Sequence, residues 1–223
     1  MYFCHQFYKP KSITNQILSV SIHKVTQIFL YIMIKHIVLF KLKEMPEKQA
    51  HLQELKKKLE IPLELIIKTT PSSMHSFYEL SKYLEDDKFC LTTVDTIFRE
   101  EEFSKFIQYF KESEADGCMA VTDYIDDEKP LYISTDDDLN IEGFHDELVP
   151  GCKFISGGIY CLTPPAIRTL HGCMEKGMAR MRNFQRQLVA DGLKLKAYPF
   201  KKIVDVDHAE DIVKAEAFLN AKD

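Results

Sequence analysis

Acidic residues that follow two apolar segments are the best candidates for chemistry in this sequence. Asp95 lies towards the end of the apolar run KFCLTTVDTIF (residues 88–98), with no basic residue within three positions of it, and Asp205 and Asp207 follow the segment KKIV. A buried carboxylate without a partner costs several kcal/mol or loses its charge. In an open parallel sheet, ligands bind at the carboxyl ends of strands. Two carboxylates from different strand ends can share a Mg²⁺ ion, which takes oxygen ligands together with substrate phosphates.

A purely structural role is the alternative for these acids. Acidic residues are common at strand ends, and Asp207 with Glu210 three positions on matches a helix capping box. On the pattern alone, the capping box and the metal site explain Asp207 equally well. The metal site is the better interpretation of Asp95.

Helices and strands alternate in the first half of the chain. Apolar residues recur every three to four positions in residues 17–31 and 99–113, which predicts amphipathic helices. Short apolar runs between turn residues predict strands, and this alternation argues for a parallel sheet with crossover helices. The predicted elements are helix 17–31, strand 36–40, a charged helix after Pro46, strand 63–69, helix 74–84, strand 89–98, helix 99–113 and strand 117–124.

The second half of the chain adds a hairpin to this pattern, which makes the sheet mixed. No linker and no internal repeat divides the sequence. We therefore expect a single α/β domain over residues 1–223 with a mixed, mostly parallel sheet. The predicted elements here are hairpin 131–144, strand 156–162, a helix opened by Thr163-Pro164-Pro165, a long basic helix 174–190 that ends at Gly192, strand 193–200 and helix 208–219.

Composition restricts the class of protein. The chain has 223 residues, 45% of them hydrophobic, and a formal net charge of −5, so a nucleic-acid-binding surface is not expected. Its six cysteines are scattered without a CxxC pair, which indicates reduced thiols in a cytoplasmic protein. No apolar stretch reaches about 18 residues, and the first 30 residues lack a signal-peptide cleavage site. Neither a membrane span nor a secretory signal is expected.

Two further charged groups are predicted to be structural. Asp136–Asp138 lack the ligand spacing and the glycine of a calcium loop, which predicts a solvated hairpin turn. The solvent-exposed face of a helix is the predicted position of Arg180, Arg182 and Arg186. Phosphate binding is the alternative for these arginines.

Several segments occur in the order of one known family. KPKSITNQILSVSIHKVTQIF (9–29) is similar to the lysine-proline segment that follows the family's phosphate loop, and IKHIVLF (34–40) to its next strand. The later matches are TTPSSMHSFYEL (69–80) to a base-side turn, TVDTIF (93–98) to a metal-binding aspartate turn, SGGIYCLTPPAI (156–167) to a sugar-side strand and VDVDHAEDIVKAEAFL (204–219) to the family's ending. In this order the chain resembles nucleotidyltransferases of the sugar-phosphate and MobA-like type.

The resemblance implies a Rossmann-like, three-layer fold of the glycosyltransferase A type and a Mg²⁺-dependent reaction. A sugar 1-phosphate or a similar phosphorylated alcohol would attack the α-phosphorus of a nucleoside triphosphate, and pyrophosphate would leave. Such chemistry depends on positioning and charge neutralisation. The implied roles are phosphate binding for Lys9, metal binding for Asp95 with Asp205 or Asp207, contacts with the base for Ser72 and Ser73, and contacts with the acceptor for Asp146, Glu147, Gly157 and Gly158.

Two features depart from the family pattern. The lysine of a glutamate-lysine-proline motif is missing where Asp146 and Glu147 lie, which argues against ordinary hexose 1-phosphate recognition. A glycine-rich loop whose amides bind the triphosphate should precede Lys9, yet only MYFCHQFY does, and no glycine occurs before Gly117. We therefore expect the first strand of the sheet to be missing and the chain as given to have little or no transferase activity. A non-catalytic remnant or ligand-binding domain is the alternative.

Overall fold

The fold is described from a computed structural model that covers residues 35–39, 66, 68–84, 88–93, 95–126, 129–206 and 208–221. The predictions for Lys9, Asp207, helix 17–31, the helix after Pro46 and most of strand 63–69 lie outside these residues.

A mixed sheet forms the centre of the described structure. Its strands follow the order β1-β2-β7-β4-β8, with β5 paired to β7 and β6 paired to β5, while β3 and β9 form a separate antiparallel ribbon. The strands are β1 (Lys35–Leu39), β2 (Phe89–Thr93), β3 (Thr96–Ile97), β4 (Gly117–Thr122), β5 (Tyr132–Thr135), β6 (Ile141–His145), β7 (Cys152–Leu162), β8 (Leu195–Phe200) and β9 (Val204–Asp205).

The sheet is mixed, as the predicted hairpin implied, but the long strand β7 is a second source of antiparallel pairing. β1 is parallel to β2 and β4 is parallel to β8, whereas β7 runs antiparallel to both β2 and β4 between them. The described chain between β4 and β7 holds the β5–β6 hairpin and no helix. Parallel neighbours require a crossover, usually a helix, so β7 returns antiparallel.

Five helices lie in the described residues, and one predicted helix is wrong. The predicted basic helix 174–190 begins later, at Met181: residues 174 and 175 end the preceding helix, and the chain turns at Gly177 (φ 66°) and Arg180 (φ 73°) between the two helices. The helices are α1 (Ser73–Ser81), α2 (Glu100–Glu112), α3 (Pro165–Glu175), α4 (Met181–Ala190) and α5 (Ala209–Asn220).

Alternation of side chains along the strands explains the layers. Leu91 of β2 packs in an apolar cluster with Phe77 of α1 and Phe184 of α4, whereas its neighbour Cys90 packs with Phe106 of α2. Successive strand residues point to opposite faces of a sheet, so these helices cover both faces. The predicted three-layer α/β architecture is confirmed.

Helix α2 is the clearest confirmed amphipathic helix. Phe103, Phe106, Ile107 and Phe110 are all buried, as their spacing predicts. The ring of Phe103 stacks on Phe98, with centroids 4.9 Å apart. Burying each such side chain stabilises the fold by about 1.5–3 kcal/mol. These contacts hold the segment that directly follows β3.

The predicted strand 89–98 is interrupted. β2 ends at Thr93, and β3 leaves the main sheet to pair with β9, with Ile97 opposite Val204. Ile97 and Val204 share a small apolar cluster with Ala215 of α5. Asp95 therefore lies at the corner between the main sheet and the β3–β9 ribbon.

The described cysteines are free thiols, namely Cys90, Cys118, Cys152, Cys161 and Cys173. Burial raises the pKa of the Cys118 thiol to about 11, which makes it a poor nucleophile at neutral pH. Within the described part of the chain, no helix has the length and apolar character needed to cross a lipid bilayer.

Candidate active site

Asp95 and Asp205 are brought together by the β3–β9 ribbon. Thr96 of β3 lies opposite Asp205 of β9, and the N–H of Val206 donates to the carbonyl oxygen of Asp95 at 3.1 Å. Asp95 is only 9% exposed, whereas Asp205 is exposed. We refer to Asp95, Asp205 and the neighbouring Tyr160 as the carboxylate corner.

The negative charges of Asp95 and Asp205 both affect the pKa of the Tyr160 phenol. Tyr160 lies on β7, and its pKa is raised to about 12, chiefly by burial and further by the negative charges of Asp205 and Asp95, against a hydrogen bond with Ser156 that lowers it. The two carboxylates therefore lie within electrostatic reach of one hydroxyl group. That hydroxyl keeps its proton at neutral pH.

A buried glutamine connects helix α4 to the carboxylate corner. Gln185 is 2% exposed, and its Nε2 donates to the hydroxyl oxygen of Tyr160 at 3.4 Å. The hydroxyl of Ser156 donates to Oε1 of Gln185 at 3.3 Å. A buried amide needs such partners, because an unsatisfied polar group costs about 1–3 kcal/mol. The position of α4 is thus coupled to that of the Tyr160 hydroxyl.

The carboxylate corner has a donor set that fits a magnesium ion. It offers carboxylate oxygens, the ligands that Mg²⁺ takes from a protein when substrate phosphates complete its shell. In the described residues, no cluster of three or more histidine, cysteine or acidic side chains is arranged to hold a metal. This argues against a closed, all-protein metal site there. Asp207, the alternative to Asp205, lies outside the described residues.

Gly157 and Gly158 lie beside this corner on β7 and have a packing reason to be glycine. A Cβ atom on Gly157 would lie 2.2 Å from Cδ1 of Ile203, and one on Gly158 would lie 2.8 Å from Oγ1 of Thr96. Gly158 also has a φ of 73°, which an L-residue with a side chain adopts at a cost. The close approach of Gly158 to Thr96 brings β7 against β3. The predicted acceptor contacts of both glycines stay a prediction.

A separate cavity lies where the base of the β5–β6 hairpin meets the start of α4. Its volume is about 760 Å³, and it contains the predicted acceptor residues Asp146 and Glu147. Each carboxylate oxygen of Asp146 contacts one arginine: Oδ1 lies 2.5 Å from Nη1 of Arg182, and Oδ2 lies 2.7 Å from Nη2 of Arg186. The guanidinium groups of Arg182 and Arg186 lower the pKa of Asp146. We call this space the arginine cavity.

The solvated-face prediction for the arginines is only partly correct. Arg180 is exposed, but the side chains of Arg182 and Arg186 are half-buried and form ion pairs across to another element. All three line the arginine cavity, together with Lys129 and Asn183. The density of arginine in MARMRNFQR was the available signal. Its partner Asp146 lies 36 residues away in sequence, which the pattern does not reveal.

The predicted base-side serines lie at the start of α1. The Ser72 hydroxyl is 2.8 Å from Nδ1 of His75 and accepts from the N–H of Arg180 at 3.5 Å. Ser73 is buried. Ser72 therefore adjoins the arginine cavity, and the contacts of both serines with a base stay a prediction. Tyr160 and Gln185 were missed by sequence reasoning. A single glutamine beside Phe184 in an amphipathic helix was the only signal for Gln185.

Comparison with known proteins identifies the family. The sequence matches the family named Nucleotidyl transferase over residues 9–222, while no curated protein matches it in sequence. The fold is similar to that of an inositol-1-phosphate CTP transferase from T. maritima, with a TM-score of 0.67, 14% identity and coverage of 88% of this chain and 82% of that one.

Two further solved structures share the fold. The structure of a Bacillus anthracis protein that is assigned as a glucose-1-phosphate thymidylyltransferase has a TM-score of 0.72 at 11% identity. The match covers 93% of this chain and 83% of that one. A UDP-glucose pyrophosphorylase complexed with UDP-glucose has a TM-score of 0.66 at 14% identity, covering 91% and 87%. The family match spans most of the sequence and the fold agrees with it, so this chain belongs to the nucleotidyl transferase family.

Proposed function

We propose that the site transfers a nucleoside monophosphate from a nucleoside triphosphate to a phosphorylated alcohol such as a sugar 1-phosphate, releasing pyrophosphate. The observation that carries the proposal is the convergence of Asp95 and Asp205 at one corner in a chain of this family. Phosphoryl transfer needs little covalent chemistry from the protein. It requires positioned substrates and a means of neutralising charge on the phosphates.

Asp95 and Asp205 would hold the Mg²⁺ ion, with Asp207 as the alternative to Asp205. The ion would supply charge neutralisation at the phosphates when bound. The burial of Asp95 strengthens its interaction with a cation, because an ion pair in a low-dielectric setting is screened less than one in water. Lys9 would bind the phosphates as a point charge. Ser72 and Ser73 would contact the base.

The arginine cavity would receive the acceptor. It holds Asp146 and Glu147, and four cationic side chains surround them. The structural neighbours include an inositol-1-phosphate CTP transferase and a protein assigned as a glucose-1-phosphate thymidylyltransferase. Both names describe phosphorylated polyhydroxy acceptors, which combine an anion with hydroxyl groups. Gly157 and Gly158 would allow the β7 backbone to approach the sugar.

A second candidate is a ligand-binding domain of the same fold without turnover. It is favoured by the absence of any glycine before Gly117 in the sequence, since amide-lined phosphate loops depend on glycine for close backbone approach. Such a domain would keep the carboxylate corner and the arginine cavity. Binding without pyrophosphate release distinguishes it from the enzyme.

Calorimetric titration of ATP, CTP, GTP and UTP with Mg²⁺ tests the metal site. We expect one nucleotide to bind the wild-type chain and Asp95→Asn to weaken it by at least about tenfold, which corresponds to about 1.4 kcal/mol. Asp137→Asn is the matched control, since it removes the same charge from an exposed turn. Equal affinities of the wild type and Asp95→Asn would exclude Asp95 from the site, as would Mg²⁺-independent binding.

A further inference from the structure

The arginine cavity is cationic in an acidic protein. Its lining has four cationic and two acidic side chains, which leaves a formal surplus of two positive charges. The cationic residues are Lys129, Arg180, Arg182 and Arg186, and the acidic residues are Asp146 and Glu147. The whole chain carries −5. A volume of about 760 Å³ is within the usual range for small-molecule sites. Charge and size together select a small anionic ligand.

Two of the arginines are held in place by contacts other than Asp146. Nε of Arg186 donates to the carbonyl oxygen of Phe144 at 3.1 Å, and its Nη1 donates to Oδ1 of Asn183 at 3.2 Å. Nη2 of Arg182 donates to the carbonyl oxygen of Lys129 at 3.2 Å. Both guanidinium groups are therefore preorganised by the backbone around them. They would stay at the cavity if the charge of Asp146 were removed.

Backbone strain occurs at the rim of the same cavity. Arg180 has φ 73° and ψ 139°, a region that residues with a side chain rarely adopt. Its N–H is directed to the Ser72 hydroxyl. Strain of this kind persists where surrounding contacts impose it, and it concentrates at ligand sites. Here it places a third guanidinium group at the mouth of the cavity.

We propose that Asp146 occupies, in the ligand-free protein, the position of an anionic group between Arg182 and Arg186, and that the phosphate of the acceptor displaces it. The bridging contact supports this, because one carboxylate offers one oxygen to each arginine, as a phosphate would. Asp146 is more than half exposed, so it can move out into solvent. In this arrangement the paired arginines supply the positive charge that the missing lysine would otherwise provide. The assignment to the acceptor rests on the proposed function.

Titration with inorganic phosphate, without Mg²⁺ or nucleotide, tests the competition. Asp146→Asn should bind phosphate at least about fivefold more tightly than the wild type, because the anion no longer has to displace a carboxylate from its ion pairs with Arg182 and Arg186. Asp126→Asn is the matched control, because it also removes an exposed, ion-paired carboxylate, that of the Asp126–Lys214 pair. Its affinity for phosphate should stay within twofold of the wild type. A phosphate affinity of Asp146→Asn no greater than that of Asp126→Asn would overturn the proposal.

Variants of the arginines locate the bound anion. Arg182→Gln and Arg186→Gln should each weaken phosphate binding by at least about fivefold, even in the Asp146→Asn background. Thermal unfolding midpoints close to that of the parent chain would establish that these variants fold. Phosphate binding that is indifferent to both arginines would contradict the proposed position.

Sugar phosphates and nucleotides separate the two possible sources of the phosphate. Asp146→Asn should tighten the binding of glucose 1-phosphate or inositol 1-phosphate and leave the affinity for Mg²⁺-nucleotide unchanged. Tighter binding of the nucleotide alone would overturn the assignment to the acceptor. Failure of the proposed function has a different signature: Asp95→Asn would leave nucleotide binding unaltered while phosphate still responded to Asp146.

Discussion

Tyr160, at the carboxylate corner, has a pKa that is raised chiefly by its burial. It is buried, it accepts a hydrogen bond from Gln185, and the charges of Asp205 and Asp95 both disfavour its ionisation. The polar group at the carboxylate corner is thus a neutral phenol.

The raised pKa of Tyr160 predicts a loss of stability in base. The phenol titrates near 10 in the unfolded chain and about 12 in the folded one. Between these pH values the unfolded chain has released a proton that the folded chain keeps. Stability is therefore fully present below pH 10 and falls as the pH rises towards 12, by about 2–3 kcal/mol.

Urea unfolding at intervals from pH 9 to pH 12 measures this effect. Tyr160→Phe should flatten the dependence of the unfolding free energy on pH in this window. Tyr109 and Tyr198 also have raised pKa values, but they are present in both chains and cancel in the difference. Identical pH dependences in the two chains would show that Tyr160 ionises normally.

Gly158 and Gly172 predict opposite effects of the same substitution. Gly158→Ala should destabilise the fold by about 2 kcal/mol or more, because its φ is 73° and the new Cβ would lie 2.8 Å from Thr96. Gly172 lies inside α3 with no atom near a new Cβ. Gly172→Ala should therefore stabilise by about 0.5–1 kcal/mol. Chemical denaturation of both variants checks the pair, and a neutral Gly158→Ala would contradict the packing of β7 against β3.

The sequence was informative about single residues where one residue breaks a pattern. Asp95 could be identified as a candidate because it is a lone acid in an apolar run, and the structure places Asp205 near it; its role in metal binding stays a prediction. The contact between Gln185 and Tyr160 could not be predicted, since it joins positions 25 apart in sequence. Each of those residues is ordinary within its own element. Only the packing of α4 against β7 makes the pair.

For helices and strands, the residues at which an element begins and ends were harder to predict than the buried face of a helix, which follows from the spacing of its apolar residues. The four buried positions of α2 follow directly from their spacing. The break between α3 and α4 was missed because a single glycine is tolerated inside a helical pattern. The last helix is capped one residue later than Asp207 and Glu210 suggest: Asp211 accepts from the N–H of His208 at 2.9 Å.

The break between α3 and α4 has a testable energetic consequence. Arg180→Gly should stabilise the fold by about 1 kcal/mol, because glycine adopts the observed backbone conformation without strain. The same variant should weaken phosphate binding, since it removes a guanidinium group from the arginine cavity. Urea unfolding and phosphate titration on one sample measure both effects. Arg180→Gln is the control, because it removes the charge and keeps the strain. A loss of stability in Arg180→Gly would contradict strain at this position.

The whole molecule joins two sites through one helix. Gln185 of α4 reaches the carboxylate corner, while Arg182 and Arg186 of the same helix reach the arginine cavity. The layered architecture could be predicted because it follows from alternating elements. The antiparallel direction of β7 could not, since the apolar pattern of a strand carries no direction. Helix α4 contacts the carboxylate corner through Tyr160 of that strand.

Turnover by the chain as given is the prediction that belongs to the whole molecule. β1 pairs directly with β2 along all five residues, from Lys35 opposite Phe89 to Leu39 opposite Thr93. No glycine before Gly117 is available for an amide-lined phosphate loop. We therefore expect little or no pyrophosphate release by the purified 223-residue chain when nucleoside triphosphates, Mg²⁺ and phosphorylated acceptors are supplied.

A chain extended at its N-terminus by a strand and a glycine-rich loop is the matching experiment. Pyrophosphate release should appear in the extended chain and fall by at least about tenfold in its Asp95→Asn variant, since the carboxylate corner is common to both forms. Robust release by the unextended chain would contradict the requirement for the loop. Release by the extended chain that is insensitive to Asp95→Asn would instead separate catalysis from the carboxylate corner, because a metal ligand cannot be lost from the reaction without a cost in rate.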